Sequence, residues 1–222
     1  MRRIIRVFEN TADAYDDWYY KPIGSYAFQS ELKGLKKLLP LTGTGVDIGA
    51  GTGIFAEQLT TDQRKIICID PSPEMLKIAN RRHLETIIAV AETLPITLRS
   101  IDFAYMVTVL EFLTEPLKAL ESIRDILKEN SPLVILFINQ ESSWGERYSK
   151  QALVGDPIFS HAKIYKLEEV CALLKNSKYD PEELVGTLTA PPDKPGKEVE
   201  LVPVGPETGA IFIKARKTGI DY

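Results

Sequence analysis

The segment Val46-Asp47-Ile48-Gly49-Ala50-Gly51-Thr52-Gly53 constrains the fold of this 222-residue chain more than any other. A short apolar run ends at Ile48, and three glycines follow at alternate positions. Such a turn reverses the backbone tightly and lets it approach a ligand closely. A helix is predicted to begin at about Gly53 and to run through Ile54–Leu59, so its unpaired N–H groups and positive dipole end face the turn. Strand, glycine turn and helix in that order form the opening unit of an open α/β sheet. Ligands of such sheets bind at the carboxyl ends of the strands, beside the switch point. The pattern points to a nucleotide-type site.

The rest of the chain repeats the rhythm. Further strands are predicted at 65–69, 86–90, 101–107 and Pro132–Ile138, with a helix at 73–79 after the second. Residues 101–107 are nearly continuously apolar, as in a strand buried on both faces in the middle of a parallel sheet. A capped helix is predicted to open at Thr114-Glu115-Pro116 and to present Leu117, Leu120, Ile123 and Leu127 on one face. Right-handed crossovers then wind the sheet doubly. Leu32, Leu35, Leu38 and Leu39 mark an earlier helix over 30–39, and residues 167–174 a later one. Strand-like runs at 183–189 and 210–215 flank the loop Pro191-Pro192-Asp193-Lys194-Pro195-Gly196, which predicts an antiparallel edge. We expect one domain over 1–222, with the aromatic-rich residues 1–29 as an N-terminal cover and the irregular residues 140–166 as a lid.

Composition narrows the partners. Lys and Arg total 27 against 31 Asp and Glu, a net charge of -4, which leaves no electrostatic footprint for nucleic acid or an anionic membrane. Arg2, Arg3 and Arg6 are followed by Glu9, Asp13, Asp16 and Asp17 instead of an apolar run, so neither an export signal nor a membrane span is expected. Cys68 and Cys171 lie in apolar patterns and are read as small buried hydrophobes. The expected setting is cytoplasmic, with a small-molecule substrate and a monomer or homodimer.

Two features separate this turn from a nicotinamide site. The fingerprint G-x-G-x-x-G places its third glycine one position later, and Asp47 would repel a pyrophosphate. A carboxylate there suits the ammonium of S-adenosylmethionine. The residues then resemble the class I, seven-stranded S-adenosylmethionine-dependent methyltransferases, particularly their small-molecule type 11 group. Val46 to Gly53 matches the family's glycine motif, and Ile69-Asp70-Pro71-Ser72-Pro73-Glu74-Met75-Leu76 its second motif. Ala91-Glu92-Thr93-Leu94-Pro95-Ile96, Ser100-Ile101-Asp102-Phe103, Val109-Leu110-Glu111 and Ile126-Leu127-Lys128 are similar to its downstream signatures.

The resemblance implies a doubly wound, Rossmann-like sheet of seven strands, mostly parallel, with S-adenosylmethionine as cofactor. Asp70 would accept both ribose hydroxyls, Pro71 and Met75 would wall the adenine, and the main chain at Gly49, Ala50, Gly51 and Gly53 would approach the ligand. Val90 stands where many relatives carry an acidic residue for the adenine amine, so that contact is expected to fall to the backbone at Ala91 or to Glu92. Thr108 and Tyr15 complete the expected cofactor contacts.

Methyl transfer from a sulfonium is an in-line displacement that chiefly requires orientation and exclusion of water. No catalytic triad or metal set is therefore needed, and His83 and His161 are the only histidines. The acceptor pocket is expected from Trp18, Phe112, Asn139, Trp144 and Tyr148, with Gln140 and Arg147 nearby. Aromatic faces there can attract an amine or the sulfonium. By residue type, His161 and Glu111 are the candidate bases, and Glu111 is also a candidate for binding a cationic substrate. A non-catalytic binding or regulatory protein that keeps the fold is the alternative reading. A nicotinamide oxidoreductase stands third.

Overall fold

The computed structural model describes residues 2–218. Met1 of the expected cover and residues 219–222 of the expected domain lie outside the described residues. A seven-stranded sheet occupies the centre in the order β3-β2-β1-β4-β5-β7-β6. Its strands are β1 (Gly43–Ile48), β2 (Arg64–Asp70), β3 (Glu85–Ile88), β4 (Phe103–Val107), β5 (Pro132–Ile138), β6 (Tyr179–Thr187) and β7 (Ala210–Lys217). The first five pair in parallel. β7 runs antiparallel to both β5 and β6.

Among the described residues seven α-helices accompany the sheet: α1 (Arg2–Tyr15), α2 (Pro22–Leu38), α3 (Ile54–Leu59), α4 (Pro73–Arg81), α5 (Pro116–Ile126), α6 (Ser143–Leu153) and α7 (Leu167–Asn176). Apolar residues of α2, α3 and α4 bury Tyr105, Leu136 and Phe212 on one face of the sheet. On the other face, α5 and α7 cover Val46, Ala104, Ile135 and Ile213. Every residue of β5 is buried, because that strand lies inside the sheet with helices above and below.

Several expected boundaries move. β3 ends at Ile88, not at residue 90, and the chain then leaves the sheet so that Ala89 and Val90 line a cavity. Thr114 does not cap α5. Glu115 precedes that helix without a side-chain capping bond, and the helix starts on Pro116, whose fixed φ suits a first position. β6 begins at Tyr179, earlier than expected, and its register shifts between Pro181 and Glu183. Residues 2–15 and 143–153 are helices where covering segments of weaker regularity were expected. Among the described residues no helix is long and apolar enough to cross a membrane.

Candidate active site

A cavity of about 510 Å³ opens at the carboxyl ends of β1, β2, β4 and β5. This is where parallel strands with helices on both sides leave a crevice, since the chain leaving β1 runs to α3 on one face and the chain leaving β4 to α5 on the other. α1 roofs the crevice with Ile4, Ile5, Phe8, Thr11 and Tyr15, and α6 closes the far side with Trp144, Tyr148 and Gln151. The Phe8 ring stands edge-on to Phe112 at 5.4 Å and to Tyr15 at 6.2 Å. Tyr148 stacks on Phe159 at 4.1 Å.

The β2 end is organised by Asp70. Its carboxylate accepts the Gly51 N–H at 2.9 Å and the Ser72 N–H at 2.8 Å. Burial raises its pKa, and those two donors oppose the rise. An ionised carboxylate offers about four acceptor positions, so Asp70 can brace the glycine turn and still accept from a ligand. Gly51 adopts φ 55, and a Cβ there would meet nothing closer than Met75 Sδ at 4.0 Å. The bare backbone at Gly51 therefore borders open space in the cavity. Gly53 serves packing instead: a Cβ would lie 2.6 Å from Leu84 Cδ1.

The described residues include a polar latch between the roof and this turn. The Arg82 guanidinium contacts Asp16 Oδ2, donates to the Thr52 carbonyl at 2.6 Å and reaches Glu57 at 3.0 Å. Thr52 Oγ1 in turn donates to Asp16 Oδ1 at 2.7 Å. The turn following α1 is thus tied to the N-terminal end of α3.

Among the residues expected from sequence, the cavity wall includes Gly49, Gly51, Asp70, Pro71 and Met75 at the β2 side. Ala91, Glu92 and Thr108 also line it, as do Tyr15 and Trp18. Phe112, Trp144, Tyr148 and Glu111 line the opposite side. Glu92 accepts the backbone N–H of Glu115 at 3.4 Å.

Five expected residues lie elsewhere. Asp47 is buried beneath the turn, where Tyr105 donates to it at 2.9 Å, and burial pushes its carboxyl up to about 8. Side-chain alternation along β1 sends it to the face opposite Ile48, and it does not line the cavity. Ala50 and Gly53 shape the turn from behind the wall, and the Ala50 N–H donates to Ile69. Asn139 donates to the Thr208 carbonyl at 3.0 Å and accepts the Glu141 N–H at 3.1 Å, which commits it to holding the chain after β5. His161 is exposed in the short turn Phe159–His161 and does not face the cavity. Residue type alone had made it a candidate base.

Sequence reasoning missed Glu31, Tyr19, Gln151 and Leu188, all on the wall. Glu31 had a signal: with Ala27, Leu35 and Leu38 it occupies one buried face of α2, an anomalous place for a charge. Among the described residues there is no grouping of His, Cys, Asp and Glu arranged to hold a metal ion.

The fold agrees with the comparisons to known proteins. A methyltransferase domain family model matches residues 46–135. An uncharacterised protein of Methanocaldococcus jannaschii is 32% identical over 213 residues, 96% of this chain and 100% of its own length. A solved methyltransferase from Thermotoga maritima, dependent on S-adenosylmethionine and described as a possible histamine N-methyltransferase, superposes with a TM-score of 0.88. It shares 31% identity over 97% of this chain and 100% of its own. A ubiquinone biosynthesis O-methyltransferase of Xylella fastidiosa is 27% identical over 114 residues, 48% of this chain and 46% of its own.

Proposed function

From the premise that this chain belongs to the class I S-adenosylmethionine-dependent methyltransferases, we propose that it methylates a small-molecule acceptor by in-line displacement within the roofed cavity. The observation that carries the reading is the continuity of that cavity. One space joins Asp70 and Gly51 to the aromatic wall of Trp18, Tyr19, Phe112 and Tyr148. Its volume of about 510 Å³ falls within the range of small-ligand sites. The Thermotoga maritima relative, a possible histamine N-methyltransferase, supports an acceptor of that scale.

Bound S-adenosylmethionine supplies an activated methyl on a sulfonium. Asp70 would hold the ribose hydroxyls with the acceptor positions left free by Gly51 and Ser72. Pro71 and Met75 would flank the adenine, and the backbone at Ala91 or the Glu92 carboxylate would receive its amine. The chain at Gly49 and Gly51 would approach the amino-acid portion. α1, as cover, and α6 with residues up to 166, as lid, exclude water and fix the acceptor's approach.

Calorimetric titration of S-adenosylhomocysteine tests this directly. Asp70→Ala removes two charge-assisted contacts to the ribose, and at about 1.5–3 kcal/mol each the affinity falls at least about 100-fold. Absence of binding by the wild-type protein would falsify the proposal. Binding without methylation of any amine, phenol, thiol or carboxylate would favour the non-catalytic reading.

A further inference from the structure

Acceptors and donors are unevenly distributed along the cavity wall. At the β2 end, Asp70 already accepts two backbone N–H groups. At the opposite end Glu31 from α2, Glu111 from the turn after β4 and Gln151 from α6 line the wall. Glu111 is 3% exposed and Glu31 5%. One Glu111 oxygen accepts the Ile138 N–H at 2.8 Å, whereas the other is buried without any hydrogen-bond partner. Gln151 Oε1 is also buried and unpartnered. Burial, and then the nearby Glu111 charge, push the Glu31 carboxyl up to about 8, with no compensating cation or donor among the described residues. Burial likewise pushes Glu111 up to about 7 despite its backbone bond.

Leaving carboxylates buried and unpaired is costly. A ligand that brings positive charge and N–H donors relieves that cost most fully; a neutral donor supplies only the missing hydrogen bond, and an anion adds to the cost. The surroundings suit a cation with an apolar body. Tyr15, Trp18, Tyr19 and Tyr148 line the same space, and aromatic rings beside a cation attract it. Burial raises the pKa of all three tyrosines, so they stay neutral. Of the other charged groups on this side, Asp156 lines the wall and Arg147 stands exposed at its rim.

We propose that Glu31 and Glu111 form the acceptor subsite, and that the acceptor is an amine that enters as a cation with its nitrogen held by these carboxylates. The proposal rests on the methyltransferase reading and narrows it to one acceptor class. The bound cation draws these carboxyls into the ionised form. An ammonium must lose a proton before its lone pair can attack, and one of the two carboxylates receives that proton. The new N–C bond forms as the methyl C–S bond breaks, with the electron pair of that bond staying on sulfur. The products are an N-methylammonium, neutral S-adenosylhomocysteine and one protonated carboxyl. Carboxyls titrating near neutrality are matched to this exchange.

The test uses 2-phenylethylamine and tryptamine, with 2-phenylethanol and phenylacetate as neutral and anionic counterparts. Each is titrated into the full-length protein loaded with S-adenosylhomocysteine, and turnover with S-adenosylmethionine is followed by mass spectrometry. At least one amine is expected to bind about tenfold or more above both counterparts and to gain a methyl on nitrogen. E111Q and E31Q are each expected to lower its kcat/KM by about 30-fold or more, with the affinity for S-adenosylhomocysteine unchanged. Equal or tighter binding of the alcohol or acid, no binding of either amine, or amine turnover unchanged in both variants would overturn the proposal. Failure of the wild-type protein to bind S-adenosylhomocysteine would instead overturn the methyltransferase reading.

Discussion

Replacing Glu31 by Gln keeps the shape of the side chain and removes its charge, so it isolates what that buried carboxylate costs the fold. The carboxyl rises from an ordinary 4.5 to about 8 on folding. Below pH 4.5 both states hold the proton. Between pH 4.5 and 8 the unfolded chain releases it while the folded protein keeps it. The unfolded state then binds one proton fewer, and stability falls by about 1.4 kcal/mol for each pH unit traversed. From pH 5 to pH 8 the loss is on the order of 4 kcal/mol. For a chain of this size that corresponds to a difference in Tm on the order of 10 °C. Asp47 and Glu111, also pushed up by burial, add to the slope of both proteins, so the comparison with E31Q and not the wild-type slope carries the test. Carboxylates held low by lysine partners or backbone donors, such as Asp102 and Glu169, titrate below this window. Scanning calorimetry of the cofactor-free protein from pH 5 to 8 is therefore expected to show E31Q close to wild type at pH 5 and clearly more stable at pH 8. Parallel Tm curves, or a less stable variant at pH 8, would refute the reasoning.

The latch and the turn yield two further tests. Arg82→Ala removes the contacts to Asp16, Thr52 and Glu57. Limited proteolysis near Tyr20 and Lys21 is expected to accelerate, and affinity for S-adenosylhomocysteine to fall about tenfold; an unchanged cleavage rate argues against a latch. Gly51→Val places a branched side chain at φ 55, costing about 1–3 kcal/mol of stability, and fills the space before Met75. Cofactor binding should be lost, whereas Gly155→Ala, at φ 83 in open space, should leave it intact. Comparable calorimetric titrations for the two variants would remove the steric argument.

Legibility followed the density of packing. β4 and β5 were plain because strands covered on both faces must be almost wholly apolar, and β1 was marked by the glycine turn that follows it. α6 was not, although Trp144, Tyr148 and Gln151 share helical spacing on the cavity side. A helix that faces ligand space mixes aromatic and polar residues, and this weakens the contrast that periodicity depends on. α1 was obscured for the same reason, since its inward face carries Phe8, Thr11 and Tyr15. The same effect hid Glu31, whose charge lies within an apolar face and reads as an interruption until the cavity beside it is seen. Asn139 and His161 failed differently. Residue type showed what they can do, but not that one serves the chain after β5 and the other faces solvent.

By itself, the glycine turn after β1 together with Asp70 and Met75 determined the class of fold and the methyl donor. Those residues lie within one β-turn-α unit and its successor, where local chain geometry dictates what the backbone can approach. Tertiary structure alone decided that Asp47 turns away to Tyr105 and that Glu31 meets Glu111. Their partners come from strands and helices distant in sequence, and only the closed sheet with its covering helices brings them within electrostatic reach. The Asp70 end of the cavity was written in a motif. The Glu31 and Glu111 end exists only where α1, α2 and α6 converge over the strand ends.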